Sequence, residues 1–440
     1  MKKKLLLFIA SALTVGNTYA QKVIKEKDVT RIVSTLASDD MMGRKPGTPG
    51  ALKAAQFIND EFKKLNLQPL PGTMSYKQEF TKSRLIQQSA AVEVNGKPLD
   101  ASVYVLGKAR NIDWKKDTAT YTEVYIQQPK DLRKWLYANS KLQHNVVVFM
   151  TPDMLEEHMA ERLQYISQKY YDTPQQIENI EAMETPYSVT VIVSSQPVSA
   201  ADNWTLKAVR QIESVPFTNV AAMIQGSSKP DEYVVFSSHY DHLGILPAVA
   251  GDSIANGADD DASGTTAVIE LANYFKGTKP QRSLIFVAFT AEEMGGYGSQ
   301  YFSRKLDPNK VVAMFNIEMI GKESKFGKNS AFITGFERSD FGTILQRNLN
   351  GSTFHFYPDP YPDQNLFYRS DNATLARLGV PAHTISTTQI DKDTFYHTVK
   401  DEISTLDMSN ITSIIQAIAT SSATIVNGTD TPTRIKQTQE

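Results

Sequence analysis

Metal-binding side chains follow a core strand in the stretch "EYVVFSSHYDHLGI", residues 232–245. Residues 233–238 form a short run rich in β-branched and aromatic side chains without charge, which predicts a buried strand. His239, Asp241 and His242 come directly after it. Imidazole and carboxylate groups are ligands that zinc accepts, and Asp241 is placed to hydrogen-bond the far ring nitrogen of a coordinating His239. The end of this strand therefore predicts a metal ligand and a residue that orients it.

Three further segments place carboxylates near the ends of predicted strands or at a helix start. "NGADDDASG" carries residues 259–261 ahead of a helix, which is more negative charge than capping that helix requires. "AFTAEEMGG" ends an apolar strand in Glu292 and Glu293, which repel each other unless they have different partners or share a cation. "FNIEMIG" places Glu318 in an apolar strand, where an unpaired charge is costly. These segments together indicate a nearby cation.

A second imidazole comes from the loop "DTFYHTVKDE" ahead of the last predicted helix. The resulting set can hold two divalent cations with one carboxylate bridging them: His239, Asp260, Glu293, Glu318 and His397. Two such ions about 3.5–4 Å apart polarise a carbonyl and lower the pKa of a shared water. Glu292 lies beside a ligand, is free itself, and is placed to take the proton of that water as general base. Because the chain has no cysteine, thiolate ligands, disulfides and a cysteine nucleophile are excluded, and zinc is the default metal.

The elements around these residues alternate between strands and helices after residue 220. Strands are predicted at 232–238, 283–290, 311–317, 330–334 and 381–386, and helices at 263–276, 297–304 and 405–425. This alternation predicts an α/β fold: a mostly parallel mixed sheet flanked by helices on both faces, with a smaller inserted α+β domain. Ligands bind outside the carboxyl ends of the strands in such sheets. His239 lies at such an end.

The domain organisation begins with residues 1–20, where three lysines, an apolar run and small residues predict a secretory signal peptide. The protein is therefore expected to be exported to the periplasm or secreted, without a membrane anchor. Residues 21–84 are predicted to form a helical segment that packs on the catalytic domain. We expect an inserted lid-like domain at 85–215, the catalytic domain at 216–428 and a polar tail at 429–440. The net charge of −2 gives no case for a nucleic acid partner, and the sequence gives no signal for an oligomeric state.

Five segments in this order resemble the M28 family of zinc-dependent exopeptidases, of the aminopeptidase type with a co-catalytic two-zinc site: "HYDHLG", "NGADDDASG", "AEEMGGYGS", "FNIEMIG" and "FYHTVKD". The resemblance covers residues 217 to about 425 and implies peptide substrates. It further implies one zinc ion on His239 and Glu318, the other on Glu293 and His397, and Asp260 between them.

The same resemblance implies roles for the neighbouring residues. Glu292 would be the general base and Asp241 would orient His239. His242 is expected to be a hydrogen-bonding loop residue, and Asp259 and Asp261 only flank the bridging position. Most aminopeptidases of the family have aspartate where this chain has Glu318, so the extra methylene is expected to alter the position or coordination of that metal.

These residues favour an exported metal-dependent exopeptidase, most simply an aminopeptidase that hydrolyses N-terminal residues from peptides. Three alternatives remain open at this point. A single-zinc acyltransferase of the glutaminyl-cyclase kind would form pyroglutamate without hydrolysing peptides. A carboxypeptidase of the same clan, for which Glu318 is a hint, would act on the other peptide end. A non-catalytic binding relative usually loses ligands or the Glu-Glu pair, and this chain has both.

Overall fold

The computed structural model of the chain describes residues 23–116, 121–138, 144–156, 159–174, 176 and 187–436. The predicted leader at 1–20 lies outside these residues. The chain divides into two compact units. The larger unit consists of the residues up to Lys45, residues 49–76 and residues 220–440, and the smaller unit of residues 46–48 and 77–219. In the described part of the chain, no helix combines the length and the apolar character needed to cross a membrane.

The helices are α1 (Glu26–Leu36), α2 (Pro49–Lys64), α3 (Asp131–Ala138), α4 (Met159–Ser167), α5 (Gly264–Phe275), α6 (Tyr297–Ser303), α7 (Phe341–Asn348), α8 (Asn372–Ala376), α9 (Met408–Ser421) and α10 (Ala423–Val426). The strands are β1 (Lys77–Val94), β2 (Lys97–Leu99), β3 (Ser102–Leu106), β4 (Asn111–Lys115), β5 (Tyr121–Tyr125), β6 (Asn145–Met150), β7 (Tyr170–Tyr171), β8 (Val189–Val193), β9 (Trp204–Ile224), β10 (Lys229–His239), β11 (Gly244–Val249), β12 (Asp252–Ala255), β13 (Arg282–Phe289), β14 (Val311–Ile317), β15 (Ser330–Ile333), β16 (His355–Pro358) and β17 (Ala382–Ser386).

The sheet of the larger unit runs in the order β16-β15-β17-β14-β10-β13 and ends on the last residues of β9. Strand β10 lies between β13 and β14 and is parallel to both, and β14 is parallel to β17. The pairs β15–β17 and β13–β9 are antiparallel, so the sheet is mixed. The predicted fold class, a mostly parallel mixed sheet in an α/β protein, is confirmed.

Helices cover both faces of this sheet because successive side chains of its central strands point to opposite sides. Val234 and Phe236 of β10 belong to the core beneath α1, α2, α5, α7 and α9. Val235, between them, belongs to a second core with Phe302 of α6 and Leu375 of α8. The Phe236 ring stacks on the rings of three other phenylalanines of the first core, at centroid distances of 5.5, 5.5 and 4.9 Å. This packing fixes the strand that ends in His239.

The predicted strands of this unit agree with the observed ones to within about three residues, but several elements were not predicted, among them β11, β12, α7, α8 and β16. Helix α7 and strand β16 lie between β15 and β17, in a stretch where the sequence offered no chemical motif. The predicted last helix at 405–425 is observed as α9 and α10, which are separated at Ser422.

The smaller unit contains a four-stranded sheet in the order β3-β8-β6-β5. Strands β5, β6 and β8 are parallel, and β3 is antiparallel to β8. Leu132 of α3 and Leu163 of α4 pack with Val146, Val148 and Val191 of this sheet in one apolar core. The unit is therefore an α+β structure with its own core, and the predicted role of residues 85–215 as a lid stays a prediction.

A buried histidine in β17 predicts a pH dependence of stability. His383 is fully buried, and its Nδ1 donates to the carbonyl of Thr334 at 2.9 Å while Nε2 lies 2.7 Å from the Ser339 hydroxyl. Burial lowers the pKa of His383 from 6.5 to about 4. Between pH 6.5 and 4 the unfolded chain therefore binds a proton that the folded chain does not, so this residue's contribution to stability is complete above pH 6.5 and is lost on acidification.

As the pH falls through that interval, we expect the free energy of unfolding of the parent to decrease by up to about 3 kcal/mol more than that of the variant His383→Asn. Denaturant unfolding of both proteins at several pH values measures the difference. His355→Asn, at an exposed histidine, is the matched control and should follow the parent. Parallel pH profiles for the parent and His383→Asn would contradict the prediction.

Candidate metal centre

Three neighbouring parallel strands end at one edge of the sheet, and each delivers chemical groups there. His239 is the last residue of β10, Glu292 and Glu293 follow β13, and Glu318 directly follows β14. Because β10 is parallel to both neighbours, these carboxyl ends meet at the same edge. The sheet therefore brings together four of the side chains predicted from sequence.

A tight turn, Ala258–Ser263, places Asp260 over this edge. The carboxylates of the two aspartates beside Asp260 hold the turn by accepting backbone N–H groups. Asp259 Oδ1 accepts from Gly321 at 2.7 Å, and Asp261 Oδ1 accepts from Met319 at 3.0 Å. Gly257 begins the turn with φ +56°, and a Cβ there would come within 2.2 Å of the Asp260 carbonyl oxygen. The flanking aspartates thus have structural partners, whereas the Asp260 carboxylate points at the histidines.

The first half of the centre, here called the His239 group, consists of His239, Asp260 and Glu318. His239 Nε2 lies 3.2 Å from Asp260 Oδ1 and 3.1 Å from Glu318 Oε1. Ligand atoms about 3.3 Å apart are what a tetrahedral ion with bonds of about 2.0–2.1 Å requires. Asp261 also has an oxygen near His239 and Glu318, but both of its oxygens already accept backbone N–H groups. Asp260 is therefore the better third ligand.

The second half, the His397 group, consists of Asp260, Glu293 and His397. His397 Nε2 lies 3.3 Å from Asp260 Oδ2 and 3.1 Å from Glu293 Oε2. The two oxygens of Asp260 thus face different groups, with Oδ1 towards His239 and Oδ2 towards His397. This is the geometry of a carboxylate that bridges two cations, and all five ligands predicted from sequence take part in it.

His242, expected to be a hydrogen-bonding loop residue, lies beside the carboxylates of the centre. Its ring is fully buried, and neither ring nitrogen has a hydrogen-bond partner among the described residues. Nδ1 lies 2.9 Å from Glu293 Oε1, which is also without a hydrogen bond there, and 3.7 Å from Asp260 Oδ2. The spacing of three residues from His239 brings the loop back over the centre, so His242 is a further candidate ligand beside the His397 group.

Asp241 acts at a different atom from the one expected. His239 Nδ1 lies 3.1 Å from the backbone carbonyl of Asp241 and 3.7 Å from its carboxylate Oδ1. The ring therefore donates to the carbonyl, which fixes its orientation and leaves Nε2 free for a cation. The carboxylate instead accepts the backbone N–H groups of Glu292 and Glu293, at 3.1 and 3.4 Å. Asp241 thus positions His239 and the Glu-Glu pair together.

Two residues that sequence reasoning missed form hydrogen bonds to the ligands or to the turn that carries them. Ser370 donates to Glu318 Oε2 at 2.7 Å. Asp401 accepts the backbone N–H groups of Asp259 and Asp260, at 3.0–3.1 Å. Asp401 follows His397 by four residues in the quoted "FYHTVKD" segment, and that carboxylate was a signal available in the sequence. Ser370 had no such signal, because a serine in a loop has many ordinary explanations.

The electrostatics of the centre favour added positive charge. Burial lowers the pKa of His397, but Asp260 and Glu293 outweigh it and raise the pKa to about 10. Burial likewise opposes protonation of His239, and Glu318, Asp241 and Asp260 raise its pKa well above the usual value. The same carboxylates that raise the pKa of the neighbouring imidazoles favour the binding of divalent cations at this position. The nitrogen and oxygen donors, the distances and the unpaired His242 nitrogens all fit zinc ions.

Glu292 differs from its neighbour because neither group includes it. Burial raises the pKa of its carboxyl well above the ordinary range, and the charges of Glu318, Asp371 and Glu293 add to the shift. Glu292 and Glu293 line a cavity of about 580 Å³, and Glu318 lines a second cavity of about 70 Å³. Arg369 and Ser370 line both. The centre is therefore open to a ligand on two sides, with Glu292 facing the larger one.

Comparison with known sequences identifies the segment that carries this centre. Residues 219–422 match the model of peptidase family M28. A probable zinc metalloprotease of Pyrenophora teres f. teres (strain 0-1) is 39% identical over 115 residues, which are 26% of this chain and 24% of that protein. Aminopeptidase NAALADL1 of Mus musculus is 33% identical over 111 residues, 23% of this chain and 13% of that protein. The chain spans about a quarter or less of the length of these curated relatives.

Solved structures resemble the chain over nearly its whole length. An aminopeptidase from Aneurinibacillus sp. strain AM-1 superposes with a TM-score of 0.56 and 15% identity, over 96% of this chain and 97% of that one. A zinc aminopeptidase from Bacillus subtilis gives a TM-score of 0.58 and 15% identity, over 92% and 96%. At this level of identity the likeness establishes the fold.

Proposed function

We propose, from the premise that residues 219–422 belong to peptidase family M28, that the protein is an exported aminopeptidase with two zinc ions. The observation that carries the proposal is the shared Asp260, whose Oδ1 faces His239 and whose Oδ2 faces His397. A carboxylate divided in this way can bind one ion through each oxygen. Export rests on the predicted leader at residues 1–20, and the periplasm or the extracellular space is the compartment we propose.

The His239 group and the His397 group would each hold one ion, with Asp260 common to both. Zinc in such a pair polarises a carbonyl and lowers the pKa of water. The chain's own residues supply the rest. Asp241 and Ser370 hold His239 and Glu318 in place, and the fixed ligands avoid reorganisation during the reaction.

Glu292 is proposed as the general base. Its backbone N–H donates to Asp241 at 3.1 Å, which holds the backbone of this residue beside the centre. From the wall of the larger cavity, the carboxylate accepts a proton from the attacking water and passes it to the departing amine nitrogen. The raised pKa of Glu292 suits this exchange, because the group must both take and release a proton.

Metal analysis of the purified protein tests the two-ion proposal. We expect about two zinc ions per chain in the parent and about one in Glu318→Ala, because that change leaves the His397 group intact. Glu337→Ala, at an exposed glutamate remote from the ligand set, should retain two. One ion in both the parent and Glu318→Ala would contradict the role of Glu318 and favour a single-zinc enzyme of the cyclase kind.

Paired peptides separate the two ends of the substrate. A peptide with a free amino end and an amidated carboxyl end should be hydrolysed, and the same peptide with an acetylated amino end and a free carboxyl end should not. The opposite pattern would identify a carboxypeptidase. Formation of pyroglutamate from an N-terminal glutamine without hydrolysis would identify an acyltransferase, and the absence of any reaction in the zinc-loaded protein would indicate a binding relative.

A further inference from the structure

The larger cavity beside the centre has a wall rich in guanidinium groups. Arg304, Arg369 and Arg377 all line it, and its carboxylates are Glu292 and Glu293 at the metal end. The three arginines come from different places in the chain: after α6, before α8 and after α8. At about 580 Å³ the cavity falls within the range of about 300–1,000 Å³ that is usual for ligand pockets. The cavity is therefore lined by both carboxylates of the centre and guanidinium groups.

Arg369 and Arg377 are available to a ligand. Arg369 and Arg377 are exposed, and neither guanidinium has a carboxylate partner among the residues that the structure describes. The Arg377 guanidinium lies over the Tyr368 ring, 5.0 Å from its centroid. Such stacking restrains an arginine without neutralising it. Arg369 and Arg377 thus present positive charge to the cavity without a carboxylate partner in the described part of the chain.

We propose that this cavity binds a carboxylate of the peptide substrate, on the carboxyl side of the bond that is cleaved. The proposal rests on the proposed aminopeptidase function. Guanidinium groups bind carboxylates through short, charge-assisted hydrogen bonds, and they repel the α-ammonium group of an N-terminal residue. The ammonium end is therefore directed away from this cavity, and the leaving part of the peptide enters it.

The second cavity agrees with this orientation. It lies on the Glu318 side of the centre, measures about 70 Å³, and includes the apolar side chains of Phe332, Leu366 and Ile390. A cavity of this size accepts a small apolar group, and it adjoins the larger one at Arg369 and Ser370. The favoured substrate therefore has a small first residue, which enters the second cavity, and an anionic second residue, which enters the larger cavity.

The carboxylate can come from an acidic side chain or from the end of a dipeptide, and three substrates distinguish these sources. Ala-Glu-amide against Ala-Gln-amide tests the side chain, and free Ala-Gln against Ala-Gln-amide tests the terminal carboxylate. We expect the anionic member of at least one pair to have a kcat/KM at least tenfold higher. The preference should weaken with added salt, because exposed charges are screened.

The double variant Arg369→Gln, Arg377→Gln is expected to reduce that ratio to within twofold of one. Arg338→Gln is the matched control, because its guanidinium also lies over the Tyr368 ring, at 5.2 Å, but does not line the cavity. It should retain the full preference. Equal rates for both members of each pair in the parent, or a preference that survives the double variant, would overturn the proposal.

A binding measurement keeps this test separate from the proposed function. Calorimetry of the three peptides with zinc-loaded Glu292→Gln, alone and combined with the arginine changes, needs no turnover. Anionic peptides should bind at least tenfold more tightly to Glu292→Gln than Ala-Gln-amide does, and the arginine changes should remove the difference. Lack of hydrolysis of all three peptides by the parent would refute the aminopeptidase, whereas equal affinities would refute the carboxylate site.

Discussion

Replacing Glu292 by glutamine is expected to lower kcat on the order of 10³-fold, within the range that general acid–base catalysis contributes. Glutamine has nearly the same shape and retains the backbone N–H that donates to Asp241, so the turn and the ligands should stay in place. What it loses is the ability to accept a proton. KM should change little, because the substrate's contacts with the cavities remain.

The neighbouring residue supplies the matched control. Glu293→Gln changes the same functional group one position later, but Glu293 Oε2 lies 3.1 Å from His397 in the His397 group. That variant should lose zinc as well as activity, whereas Glu292→Gln should keep two ions per chain. Metal analysis and steady-state kinetics on both proteins decide between the roles. A Glu292→Gln protein that retains most of the parent's kcat would contradict the general-base proposal.

Much of the centre could be predicted because parallel strands impose a simple rule. A buried apolar run identifies a strand, and the carboxyl ends of neighbouring parallel strands meet at one edge. His239, Glu293 and Glu318 each follow such a run, so their proximity followed once the strands were taken as neighbours. The fold class followed from the same alternation of strands and helices.

The rest depends on contacts that a linear pattern does not encode. The partner of His239 is the Asp241 carbonyl and not its carboxylate, a choice set by the path of the loop. Asp401 reaches back across 142 residues of sequence separation to the N–H of Asp259. His242 differs from an ordinary loop histidine because its ring is buried and its Nδ1 lies 2.9 Å from Glu293 Oε1. Such assignments need the three-dimensional positions of backbone groups, which motifs leave open.

The largest stability effect is expected at a residue outside all the motifs, Arg44. Its side chain is fully buried, and its guanidinium donates to four backbone carbonyls, those of Leu36, Tyr240, Asn256 and Gly257, at 2.5–2.9 Å. Two of these carbonyls border the catalytic loops: Tyr240 lies between His239 and Asp241, and Gly257 begins the turn that carries Asp260. Burial lowers the pKa of Arg44, although Asp260 and other nearby aspartates oppose that shift.

We expect Arg44→Met to reduce the free energy of unfolding by about 3–5 kcal/mol, because the change leaves several buried carbonyl oxygens without a donor. Zinc affinity should fall with it, since the loops that hold His239 and Asp260 lose their common anchor. Denaturant unfolding and zinc titration of the parent and the variant measure the two effects.

Arg31→Met is the matched control for this loss. The Arg31 side chain is 47% exposed and pairs with Glu61, which keeps a second partner in Lys64 at 2.8 Å. An exposed ion pair contributes about 1 kcal/mol or less, so the control should lose little stability and no zinc affinity. If Arg44→Met instead matched Arg31→Met in both measurements, the four hydrogen bonds would not be what holds the two loops together. A loss of stability with unchanged zinc affinity would place Arg44 in the scaffold alone, and the ligands would then be held by Asp241, Ser370 and Asp401.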